Sequence, residues 1–152
     1  MLDKKFNRAT LVLLYSGMDS MAFMSLPAGQ DGVTRKDYIA WVEKYLRFPC
    51  AEQVTGLDLY AARCGLLHTF TPESDLSRNK RARPIVYINH RTPEISYDPN
   101  EPENIVVMSV EGLYNSFFTG VQKFLSDLHA DKNRDAQVLA RLDTMFHDIS
   151  QE

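Results

Sequence analysis

Apolar residues recur at intervals of three or four from about residue 5 to residue 26, at Phe6, Leu11, Leu14, Met18, Met21 and Met24. That spacing lines one face of an α-helix, and Pro27-Ala28-Gly29 ends it. Gly17 falls inside the run, where it either weakens the helix or lets a second helix approach closely. Thr34-Arg35-Lys36-Asp37 has the form of a capping box with Asp in place of Glu. The helix it opens runs to about Arg47 with Tyr38, Ile39, Val42, Tyr45 and Leu46 inward, and Pro49 stops it. Thr55 or Gly56 opens a third helix, from Leu57 to about Phe70, with Asp58 beside its positive end. Its apolar stripe is Leu59, Ala62, Leu66 and Phe70, and Pro72 ends it.

The period then changes. After a polar, then basic, segment over 71–83, Pro84-Ile85-Val86-Tyr87-Ile88-Asn89 and Ile105-Val106-Val107-Met108 are short β-branched runs. The stretch from Thr92 to Asn104 between them is rich in Pro, Asp, Glu and Asn and too long for a tight turn. These runs predict a two-stranded β-hairpin over about 84–108 with a long tip. Ser109 can cap a fourth helix with the stripe Leu113, Phe117, Val121, Phe124 and Leu128. A break near 130–133 leads to a fifth, carrying Val138, Leu139, Leu142, Met145, Phe146 and Ile149. The expected architecture is therefore mostly α: an up-and-down bundle of about five helices with an inserted hairpin, in one domain spanning 1–152.

Composition narrows the functional classes. A chain of 152 residues with 44% hydrophobic and 24% charged positions can bury its own core without a staple. Its net charge of -3 excludes a uniformly basic protein that coats nucleic acid. Lys4, Lys5 and Arg8 precede an apolar run that stops at Tyr15, well short of the ~20 residues a membrane span needs. Cys50 and Cys64 form no CxxC pair and have no flanking His at metal-ligand spacing. The expectation is a cytoplasmic protein with reduced thiols, no metal and no cofactor.

One motif carries chemistry. The third helix contains Arg63-Cys64-Gly65-Leu66-Leu67-His68, an Arg followed five positions later by a His near the helix end. Bundle, position and spacing together resemble the HEPN superfamily, whose signature is Arg, four to six residues, then His. The resemblance implies a small helical bundle that pairs its motifs across a homodimer cleft. It also implies, for active members, a metal-independent ribonuclease of toxin, antiphage or RNA-processing systems, with an antitoxin as a possible protein partner. His68 would then be the general acid/base, since imidazole exchanges protons near neutrality. Arg63 would hold the phosphate with its planar fork. Cys64 departs from the polar residue that active members carry after the Arg. The alternative class is a non-catalytic dimeric module that binds nucleic acid, a nucleotide or a protein. The two motif side chains lie about 140° apart around an ideal helix, so both can act on one group only across two protomers or where the helix end unwinds.

Other residues were placed around this motif. From Arg63 to Arg91 the chain carries +4, while the remainder carries -7. Arg78, Lys80, Arg81, Arg83 and Arg91 are therefore candidate RNA contacts, with Tyr87 and His90 as stacking surfaces. Asp19, an acid inside an otherwise apolar helix, is expected to orient Arg63 across the bundle. His129 and His147 lie at helix ends, where they favour the helix dipole.

Overall fold

The computed structural model describes residues 4–48, 54–69, 71, 74–89, 95–98, 100, 102 and 104–145, side chains excepted at 4–7, 69 and 144. Among the described residues, six helices and three strands follow in the order α1 (Lys4–Met24), α2 (Arg35–Tyr45), α3 (Gly56–Thr69), α4 (Asp75–Arg78), β1 (Ile85–Ile88), β2 (Ile95–Tyr97), β3 (Val106–Ser109), α5 (Val110–His129) and α6 (Lys132–Met145). The chain is mostly helical with a small inserted β element, as the periodicities predict. The Phe6 side chain, Pro49, Cys50, Phe70, Pro72, Phe146, His147 and Ile149 lie outside the described residues.

Local chemistry sets most of the boundaries. The capping box at α2 forms: Asp37 N–H donates to Thr34 Oγ1, and Thr34 N–H returns a bond of 2.8 Å to Asp37 Oδ2. Ser109 caps α5 through its hydroxyl, which accepts from Gly112 N–H at 3.0 Å. Gly17 does admit a close neighbour, because a Cβ there would stand 2.8 Å from Phe117 Cζ. The core that results joins Tyr15 and Met18 of α1, Tyr38 and Trp41 of α2, Leu59 of α3 and Leu113 and Phe124 of α5 to Ile85, Val106 and Met108 of the sheet.

The β element differs from the predicted hairpin. The two runs do pair, Ile85 opposite Val106 and Ile88 opposite Ser109, but in parallel. A third strand, β2, pairs antiparallel with β3 from its other side, giving the order β1-β3-β2. The hairpin is thus β2–β3, and its connection over 98–105 is shorter than the one expected. There Asp98 Oδ1 accepts from Asn100 N–H at 2.8 Å, and Tyr97 donates to Asn104 Oδ1 at 2.7 Å. Two similar β-branched runs are compatible with either direction. The short strand hidden in the polar stretch decides it by occupying the antiparallel edge. A fourth helical piece, α4, was also not anticipated; Ser74 and Ser77 cap each other across its single turn.

Helix α3 lies among α1, α2, α4 and β1. Of its side chains from 56 to 68, only His68 is exposed. The expected single apolar stripe is therefore too narrow a description: Asp58, Ala61 and Gly65 are buried as well.

Candidate functional site

Arg63 projects from the middle of α3 toward α1. Its Nε donates to Asp19 Oδ2 at 2.9 Å, and Nη2 stands 2.9 Å from the same oxygen in an ion pair. The guanidinium also lies 6.0 Å from the centre of the Tyr60 ring, and Nη1 reaches Cys64 Sγ at 3.9 Å. Tyr60 meets Tyr38 edge to face at 5.5 Å. A surface cavity of about 200 Å³ opens here between Asp19, Thr34, Tyr38, Tyr60 and Arg63.

The electrostatics form one connected set. Burial pushes the Asp19 carboxyl above its ordinary value, while the Arg63 hydrogen bond, the Arg63 charge and, more weakly, the His68 charge pull it down. For Arg63 burial works against the charge, but Asp19 outweighs it and the pKa rises. Burial, followed by Cys64, raises the Tyr60 phenol. The charge on His68 therefore reaches the Asp19 pair, yet His68 itself stands outside the cavity lining. Helix α3 continues without interruption to Thr69, so the helix end does not unwind, and the ~140° between Arg63 and His68 persists. The expected Asp19–Arg63 pair is present. Arg63 and His68 do not converge within one protomer.

Within the basic island, Arg83 is committed to a buried ion pair. Arg83 donates from its backbone N–H to Asp58 Oδ1 at 2.7 Å and from Nη2 to Asp58 Oδ2 at 2.6 Å. Its guanidinium also sits 4.4 Å from the Tyr97 ring centre. Arg78 pairs with Asp75 on α4. Lys80 and Arg81 are exposed, and Arg91 and His90 lie outside the described residues. Tyr87 is half-buried, and its hydroxyl bonds that of the buried Tyr15. His129 is exposed at the end of α5.

Sequence reasoning missed the hub made by Asp58. Thr55-x-x-Asp58 is a capping box like the one at Thr34, with Thr55 N–H donating to Asp58 Oδ2 at 3.0 Å and Asp58 N–H to Thr55 Oγ1 at 3.2 Å. That much was available from spacing; the link to Arg83, 25 residues on, was not. Among the described residues no group of three His, Cys, Asp or Glu side chains could hold a metal ion. None of the described helices is long and apolar enough to cross a membrane. No family model matches the chain, and no curated protein or solved structure matches it either.

Proposed function

We propose that this chain is a non-catalytic, HEPN-like helical module whose work is association with a protein surface rather than turnover of RNA. The observation that carries this reading is the placement of Arg63. Two of its donors are held by a partly buried carboxylate, on a helix surrounded by other elements. A guanidinium so engaged clasps α1 to α3 and has little left for a phosphate. A cleft built from two copies of α3 would need a broad free face, whereas on α3 His68 is exposed and Leu57, Tyr60, Arg63, Cys64, Leu66 and Leu67 are only half-buried. The engagement of Arg83 with the buried Asp58 further weakens any RNA track.

The test is direct. Purified chain incubated with mixed RNA in EDTA should yield no 2′,3′-cyclic phosphate ends, and Cys64→Asn should be equally inert. Cleavage that disappears in both His68→Ala and Arg63→Lys would overturn the reading in favour of a dimeric ribonuclease, since general acid–base catalysis supplies about 10²–10⁴-fold. Salt provides a second readout. Phosphate-driven binding falls steeply with ionic strength, whereas association through an apolar face should persist.

A further inference from the structure

Helix α5 carries more apolar surface than the bundle uses. Gly120 faces the backbone of Tyr45 on α2, and Phe117 faces Gly17 on α1. With Phe117 set at zero on the helix wheel, Val121, Tyr114, Leu125 and Phe118 fall between about 40° and 100°. That arc lies on the side of Phe117 away from Gly120. Tyr114 is 46% exposed, Phe118 52%, Leu125 43%, and Leu13 of α1, one turn before Gly17, 72%. The Tyr114 and Phe118 rings stack 14° from parallel with centres 6.1 Å apart. No charged residue occurs from Gly112 through Gln122.

We infer that this α5 face docks a second copy of the chain, its α5 antiparallel to the first. Three observations select a second copy. The first is spacing: 114, 118, 121 and 125 are separated by four, three and four residues, an order that reads the same in both directions. An antiparallel helix on a two-fold axis therefore sets Tyr114 against the partner's Leu125 and Phe118 against the partner's Val121, which is the self-complementarity an isologous contact requires. The second is charge. Glu111 and His129 are exposed at opposite ends of the stripe and both fall near 120° on the wheel. The antiparallel register brings each Glu111 to the partner's His129, twice per dimer. Between those rims the stripe carries no charge to repel its own copy.

The third is area. At roughly 200 Å² for a fully open large side chain, the four exposures come to about 400 Å² of apolar surface. A standard interface of ~800 Å² per partner is about 56–58% apolar and so needs about 450 Å². The patch is thus the apolar core of one such interface, with Asn115, Thr119, Gln122 and Ser126 as its uncharged margin. The two-fold axis expected at α3 moves to α5, because α5 exposes the large apolar side chains Tyr114, Phe118 and Leu125 and α3 exposes none among its described side chains.

This inference rests on the association reading, and the two fail separately. Sedimentation velocity of the full chain from 1 to 100 µM should give a species of twice 17.4 kDa. Phe118→Asp and Leu125→Asp should each raise the dissociation constant at least 100-fold, with circular dichroism and the fluorescence of the single tryptophan, Trp41, unchanged. Glu111→Lys should weaken association several-fold, and Glu111→Lys with His129→Glu should restore it. A wild-type chain that stays monomeric to 100 µM overturns the second copy and leaves the face to a different protein. So does a dimer indifferent to Phe118→Asp, which would place the contact elsewhere. Failure of the charge exchange to restore binding overturns the antiparallel register. Ribonuclease activity, by contrast, would sink the association reading whatever the oligomeric state.

Discussion

Helix α3 is tied down by two ion pairs of similar composition and different character. Near its start, Asp58 receives the Thr55 backbone and hydroxyl, the Arg83 backbone and two guanidinium nitrogens, all within 3.1 Å. One turn and a half later, Arg63 reaches Asp19 through two nitrogens that share a single oxygen. The first pair is 4% and 14% exposed at its acid and base; the second is 26% and 23%. Hydrogen bonding decides the sign of the two carboxyl shifts. Burial raises both, but at Asp58 the donors from Arg83 and Thr55 outweigh it and the pKa falls below the ordinary value. At Asp19 the fewer donors do not, and the pKa rises. A buried charge is tolerated where every lone pair is answered.

Removing the better-satisfied acid should do the greater harm. Asp58→Ala strands the Arg83 guanidinium and two backbone N–H groups, and should cost about 3–5 kcal/mol in urea unfolding. Asp19→Ala should cost only about 1–2 kcal/mol, because Arg63 can turn toward water. Equal losses at the two sites would break the comparison. Thr55→Ala removes the cap but leaves the Arg83 bonds, and should cost about 1 kcal/mol in the same assay.

The smallest effect has opposite signs at the two acids. Asp58 has a folded pKa below its unfolded ~3.9, so its stabilisation is present above that value and lost as pH falls through the folded one. Asp19 has a folded pKa above ~3.9, so its stabilisation is present at lower pH and lost as pH rises through the folded value. Unfolding of the wild type, Asp58→Asn and Asp19→Asn between pH 2 and 6 should show this. The wild-type advantage over Asp58→Asn should shrink on acidification, and the advantage over Asp19→Asn should grow.

The pairs also differ in how far the sequence foretold them. Asp19 stands out as an acid in an apolar helix, and Arg63 is the motif cation that it is expected to orient. Asp58 and Arg83 each had a sufficient local explanation, a helix dipole for one and a basic loop for the other. Nothing in spacing distinguishes a solvated Arg from one folded back across 25 residues. The same limit applied to α5. Its inward stripe was legible, including Phe117 and Phe124, but Tyr114, Phe118 and Leu125 register as exposed only once α1 and α2 have taken their sides.

The sequence by itself determined the five longer helices, two of their caps and the presence of a β insertion, because hydrogen bonds and side-chain periods within a few residues set them. The Thr34 capping box, the Ser109 cap and most of the inward faces of α1, α2 and α5 are of this kind, although Val121 is only half-buried and Trp41 joins the core unannounced. Tertiary structure decided the parallel pairing of β1 with β3, the packing around α3 and the partners of Arg83. Each of these depends on which surfaces remain after long-range packing, and loop closure places no short-range signature on that choice.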